Sequence, residues 1–215
     1  KDKKKNIRKN LALVSKKINI NNKKLKLMYQ THSNKVVIIN DKNKNLNKFN
    51  SDALITKING IALGIVTADC VPIILFDKKN QIIGGIHAGW KGAVSGIIEN
   101  TFNEFVKRGE GLENLKVFVG PHLKTKSFEI KNDFVDLLSK KIPNYKNYIL
   151  REKNIMKFDF SSLILNIIRG FNIQSVEISD EDTFSNNQKF FSHRFYSKQG
   201  IKNCGRQISL VGIKD

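Results

Sequence analysis

Between residues 53 and 87 the chain passes through four apolar segments in close succession, at 53–55, 61–67, 71–76 and 81–87. They are rich in isoleucine, valine and leucine, and short polar breaks separate them. Apolar residues here run almost continuously instead of alternating, the pattern of strands covered on both faces. The breaks are too short for the helical crossovers that a purely parallel sheet requires, so mixed sheets are expected. Downstream the period changes. Trp90, Val94, Ile97, Ile98, Phe102 and Phe105 fall on one stripe and predict a helix over residues 89–108, ending near Gly109.

The rest of the chain is read the same way. Residues 4–18 predict an amphipathic helix carrying Ile7, Leu11, Val14 and Ile18. Leu25–Met28 and Val36–Ile39 are strand candidates on either side of His32, and residues 41–50, dense in Asn and Lys, form a loop. Strands are expected at 117–119, 176–179 and 207–213, and helices at 132–141 and 159–169. No Gly/Ser/Pro linker and no internal repeat divides the 215 residues. The expectation is one α/β domain over residues 1–215.

The net charge of +19 is concentrated in residues 1–48, which hold fifteen Lys and Arg against two acids. Aromatic residues are not interleaved with these cations as a nucleic-acid stacking platform requires. Lys, Asn and Ile fill 85 positions, a composition that suits a solvated basic face, so no nucleic-acid partner is expected. No apolar run approaches the roughly 20 residues of a membrane span, and the basic opening is not followed by the apolar region of a signal peptide. Two cysteines, Cys70 and Cys204, make no disulfide framework. A cytoplasmic location is expected, and the sequence leaves the oligomeric state open.

Chemistry-bearing residues gather at the ends of the apolar segments. Cys70 lies in Thr67-Ala68-Asp69-Cys70-Val71-Pro72, His87 in Gly85-Ile86-His87-Ala88-Gly89-Trp90-Lys91-Gly92, and His32 in Gln30-Thr31-His32-Ser33. Two imidazoles and a thiolate can form three legs of a tetrahedral zinc site with one corner open, the layout of a catalytic zinc. The spacings match no compact zinc motif, and singly Cys70 can be a small buried hydrophobe and His87 a core histidine. Asp69 interrupts a buried stretch, which makes it a candidate for orienting a ligand or moving a proton. The turn at Gly89 opens a helix whose free N–H groups, with Lys91 beside them, can hold an anion such as phosphate. His122 and His193 are read as surface or core residues, and Cys204 and Trp90 as structural.

The segments around Cys70 and His87 resemble the hallmark segments of the YfiH-like laccase-domain family, whose members are labelled polyphenol oxidases, purine nucleoside phosphorylases and peptidoglycan editing factors. Gln30-Thr31-His32, Ser51-Asp52-Ala53-Leu54-Ile55-Thr56, Gly120-Pro121, Phe190-Phe191-Ser192-His193-Arg194 and Gly205-Arg206-Gln207 follow in the family's order. The resemblance implies a layered sandwich of mixed sheets flanked by helices, and a zinc held by His32, Cys70 and His87. It implies phosphorolysis of adenosine, inosine, guanosine or methylthioadenosine, with adenosine deamination alongside, and it places Arg194 and Arg206 near phosphate or substrate. The chain departs from the family in lacking its cysteines after Gly120-Pro121, in carrying Asp182 where a cysteine often precedes Thr183, and in lacking the glycine-rich opening and first strand.

Four histidines are too few for the several copper sites of a multicopper oxidase, although copper can replace zinc adventitiously, since it outranks zinc in affinity. The alternative reading needs no metal: a cysteine-type amide hydrolase acting on a peptidoglycan precursor, with Cys70 as nucleophile and His87 as base.

Overall fold

The computed structural model describes residues 3–108, 111–173 and 175–213. Along the chain, helix α1 (Lys4–Lys17) is followed by strands β1 (Leu25–Met28), β2 (Val36–Ile39), β3 (Lys48–Phe49), β4 (Ala53–Thr56), β5 (Ala62–Thr67), β6 (Val71–Asp77) and β7 (Ile82–Ala88). Helices α2 (Trp90–Val94) and α3 (Ile97–Lys107) lead to β8 (Lys116–Val119), β9 (Glu129–Ile130), α4 (Asn132–Ser139), β10 (Ile149–Glu152) and β11 (Ile155–Phe158). The chain then forms α5 (Phe160–Arg169), β12 (Ser175–Ile178), α6 (His193–Lys198) and β13 (Gln207–Gly212).

Three sheets result, with strand orders β12-β8-β6-β7-β4-β2, β13-β5-β1-β3 and β10-β11-β9. The first two are mixed, as the short breaks between the apolar segments require. In the six-stranded sheet β6 and β7 pair antiparallel with Ile73 opposite Ile86, while β2 and β4 run parallel. The central strands are covered on both sides. Ala53, Ile55, Val71, Ile73, Leu75 and Ile86 face a core that includes Phe102, Phe105, Phe158 and Ile164 from the helices and β11. Leu54 and Ile83 point the other way, into a second core with Leu63 and Ile65 of β5 and Met28 of β1. This two-sided burial accounts for the unbroken apolar runs. Each phenylalanine in the larger core contributes about 1.5–3 kcal/mol by leaving water.

Two expected helices take a different form. The stripe over 89–108 is carried by two helices, because Gly96 adopts φ +90° and redirects the chain between α2 and α3. The end expected near Gly109 lies outside the described residues. Helix α1 forms where expected, yet its apolar stripe joins neither core: Ile7 is 45% exposed, Leu11, Val14 and Ile18 are half-buried, and Ser15 is the helix's buried residue. The hairpin β10–β11 and helix α6 were not anticipated. No helix among the described residues is long and apolar enough to cross a membrane.

Candidate metal centre

Three backbone segments deliver the cluster. His87 is the penultimate residue of β7, opposite Pro72 of β6, so the antiparallel register fixes its backbone. Cys70 sits in the turn from β5 to β6, just after Asp69 at φ +85°. His32 lies in the loop after β1, itself at φ +61°. Two non-glycine residues in the left-handed region within one cluster mark a backbone held by its surroundings.

One ligand atom from each of His32, Cys70 and His87 lies within 4.8 Å of the others. Cys70 Sγ is 3.6 Å from His32 Nε2, close to the roughly 3.5 Å that separates sulfur and nitrogen on a tetrahedral zinc. The rings of His32 and His87 meet edge to face, 4.9 Å between centroids. Burial runs from exposed His32 to buried His87, so the cluster opens outward. Gly89 makes room for it: a Cβ there would lie 2.1 Å from His32 Cδ2 and 3.3 Å from Cys70 Sγ. Donor set, spacing and this cradle all fit a metal ion.

Asp52, at the start of β4, is fully buried and ties two of the three segments together. Its Oδ1 accepts from His87 Nδ1 at 2.8 Å and from the His32 amide at 3.1 Å. Its Oδ2 accepts from Ser33 Oγ at 2.6 Å, the Ser33 amide at 2.8 Å and the Thr31 amide at 3.2 Å. Burial alone would raise this carboxyl, but hydrogen bonds from His87, Ser33 and Thr31 outweigh burial and hold it well below the usual carboxylate range. Asp52 belongs to no spacing pattern in the sequence. Its one signal is that an acid directly precedes a mostly apolar segment, Ala53-Leu54-Ile55, where such a group must find donors.

Asp69 ties down the third segment. Its Oδ1 accepts from Thr183 Oγ1 at 2.7 Å and its Oδ2 from the Arg194 amide at 2.6 Å. Both oxygens are engaged, which suits orienting the Cys70 turn better than moving a proton. Burial, with the Asp69 charge adding to it, pushes the Cys70 thiol up to about 12. Burial and the neighbouring His87 hold the His32 imidazole below its ordinary value. A thiol raised in this way is the opposite of an activated nucleophile. The ring hydrogen-bonded to the sulfur is His32, whereas His87 is engaged by Asp52. The hydrogen-bonded pair in this structure is thus Cys70–His32, and not the Cys70–His87 pair of the amide-hydrolase alternative.

The cluster opens into a cavity of about 900 Å³. Phe128, Phe134, Phe160 and Trp90 give it an aromatic wall, and Arg194 and Arg206 also line it. Arg194 Nη1 donates to the Glu129 carbonyl at 2.8 Å, and its guanidinium stands 5.5 Å from the Phe128 ring centre. Arg206 is exposed, and its Nη1 donates to the carbonyls of Cys204 and Gly205, both at 2.9 Å. Lys91 is not among the cavity-lining residues; its ammonium lies 5.7 Å from the Trp90 ring centre. The His32 loop packs against the side of α2, where a Cβ on Gly92 would stand 3.0 Å from the Ser33 carbonyl. His193 lines the cavity, while His122 is buried outside it, between the Gly120 carbonyl and Ser161 Oγ.

A family model described as multi-copper polyphenol oxidoreductase laccase matches residues 1–214. The chain belongs to this family. Within the laccase-domain family it is 29% identical over 191 residues to a purine nucleoside phosphorylase of Rickettsia prowazekii, covering 87% of this chain and 78% of that protein. It is 33% identical over 167 residues to a purine nucleoside phosphorylase of Bacteroides thetaiotaomicron, covering 75% of this chain and 60% of that protein. An adenosine deaminase from an unknown prokaryotic organism is 32% identical over 129 residues, covering 57% of this chain and 49% of its own length. The crystal structure of the YfiH protein of Bacillus licheniformis superimposes with a TM-score of 0.85 at 21% identity, over 96% of this chain and 80% of that one. That likeness establishes the fold, including the YfiH-like layering of mixed sheets and flanking helices. The family description speaks of several coppers. Among the described residues His32, Cys70 and His87 form the one group of three or more side chains placed to hold a metal ion.

Proposed function

We propose that this laccase-domain chain is a zinc-dependent enzyme of purine nucleosides. It cleaves adenosine, inosine, guanosine or methylthioadenosine with phosphate, and deaminates adenosine as a side reaction. The observation that carries this reading is the convergence of His32, Cys70 and His87 in a cavity of about 900 Å³, roomy enough for a nucleoside and a phosphate. The printed activities of the related phosphorylases and deaminase support it.

His32, Cys70 and His87 would hold the zinc, which supplies a Lewis-acid centre with an open coordination position. The remaining work belongs to the chain's own residues. In the aromatic wall Trp90 and Phe134, both only partly buried, offer faces on which a purine can stack, backed by buried Phe128 and Phe160. Arg194 and Arg206 bring fixed positive charge to the same cavity, where it can orient a phosphate for attack on the ribose. Asp69 holds the Cys70 turn against the segment carrying Arg194, so the metal corner and the cationic corner keep a fixed separation.

Incubation of the purified chain with adenosine, with and without phosphate, tests the reading. The expected products are adenine and ribose 1-phosphate only when phosphate is present, with some inosine in either case. A chain that binds zinc yet leaves adenosine unchanged contradicts it. The metal-free hydrolase alternative instead requires rapid alkylation of Cys70 in zinc-free protein and no dependence of turnover on zinc.

A further inference from the structure

We infer that Asp52 is the positioning residue of the metal centre, one carboxylate that fixes the ring tautomer of one histidine and the backbone of the other. The inference rests on reading His32, Cys70 and His87 as metal ligands. A carboxylate can only accept at both oxygens. Because Oδ1 lies 2.8 Å from His87 Nδ1, that nitrogen must carry the hydrogen, and the lone pair of Nε2 is left for the cluster. The same carboxylate gathers three successive amides, of Thr31, His32 and Ser33, together with Ser33 Oγ. That cage holds His32 at φ +61°, a conformation a non-glycine residue keeps only when its surroundings impose it. Asp52 also anchors the strand-borne histidine through its backbone, since its carbonyl accepts from the His87 amide at 2.7 Å.

An asparagine separates this role from mere packing, because it keeps the shape and loses one acceptor. Its NH₂ group cannot face the Oδ2 side without meeting the Thr31 and Ser33 amides, two backbone donors that cannot reorient. On the Oδ1 side the NH₂ meets one amide, that of His32, and there it can donate to His87 Nδ1. In that arrangement Nδ1 becomes an acceptor, the hydrogen moves to Nε2, and the nitrogen facing the cluster binds a cation only after that hydrogen has been displaced, at a cost in affinity.

The test compares the parent chain with Asp52→Asn and Ser33→Ala. Zinc affinity is measured by competition with a chromophoric chelator, and ring tautomers by ¹⁵N NMR of the zinc-free proteins. Asp52→Asn is expected to lose about 10- to 100-fold in zinc affinity and to show His87 as the Nε2–H tautomer. Ser33→Ala removes a contact on the loop side only, and should weaken zinc less while leaving His87 as Nδ1–H. An Asp52→Asn chain that folds and binds zinc as tightly as the parent overturns the inference. If that variant fails to fold, the zinc-free parent decides: His87 as Nδ1–H supports the role and Nε2–H overturns it. None of these readouts uses turnover, so absence of nucleoside cleavage would count against the proposed function and leave the role of Asp52 standing.

Discussion

The two walls of the cavity are built to different standards. The metal wall rests on the six-stranded sheet, where His87 lies in a seven-residue strand buried at every position. On this wall Asp52 and Asp69 have both carboxylate oxygens hydrogen-bonded. Much of the aromatic wall rests on a three-stranded sheet whose β9 has two residues, and on helix α4, where Leu138 is the one buried residue. Its phenylalanines pack on one another, with Phe134 and Phe158 5.1 Å apart, instead of being pinned by hydrogen bonds. A ligand set tolerates little displacement, whereas a stacking face tolerates a good deal. On the proposed function the rigid wall suits the metal and the softer wall suits the variable part of a substrate.

The largest effects are expected on the rigid wall. His32→Ala, Cys70→Ala and His87→Ala should each abolish zinc binding and turnover together, read by metal analysis and product assay on the same preparation. Full activity in any one of them removes that residue from the site. Gly89→Ala should come close to the same loss, because the added methyl would stand 2.1 Å from His32 Cδ2 and displace the ring. Chelator competition checks this, and an unchanged zinc affinity would show that the wall yields more than its geometry implies.

The next effect lies outside the cavity, at His122. His122 is fully buried between β8 and α5, and burial, with Lys124 adding to it, pushes its imidazole down to about 4 from an ordinary 6.5. Asp182 and Asp159 act in the other direction without cancelling the shift. The unfolded chain therefore binds the extra proton first. Stability from the neutral ring is complete above about pH 6.5 and is lost as pH falls towards 4, on the order of 3 kcal/mol. Urea unfolding between pH 7 and 4 should show this slope, and His122→Gln should flatten it. An equal slope in the variant would place the acid sensitivity elsewhere.

Legibility followed the same division. Strands β4 to β7 could be read to within a residue or so because burial on both faces leaves a continuous apolar record. The three-stranded sheet was missed because β10 and β11, at Ile149–Glu152 and Ile155–Phe158, are half exposed and interleave Arg, Glu and Lys with apolar residues. Their only sharp mark is the two-residue turn at Lys153 and Asn154, with Lys153 at φ +51°. The stripe of α1 misled in the other direction, since period reports amphipathicity and not what an element packs against. His32, Cys70 and His87 were legible because their residue types are scarce here. Asp52 was not, because a carboxylate that serves other side chains has no spacing of its own.

Smaller effects belong to the soft wall and to α1. Phe134→Ala should raise KM for the nucleoside by about tenfold with kcat nearly kept, the scale of losing one stacking contact of ~1–3 kcal/mol. An equal fall in kcat would show that this wall positions the reacting atoms after all. Leu13→Lys on α1, where Leu13 is 56% exposed, should shift the urea midpoint by no more than the equivalent of about 0.5 kcal/mol.

The most direct measurement is X-ray absorption at the zinc edge on the zinc-loaded chain. The account predicts one sulfur at about 2.3 Å and two imidazole nitrogens at about 2.0–2.1 Å, with the sulfur lost in Cys70→Ala. A first shell without sulfur, or one unchanged by that substitution, would contradict it.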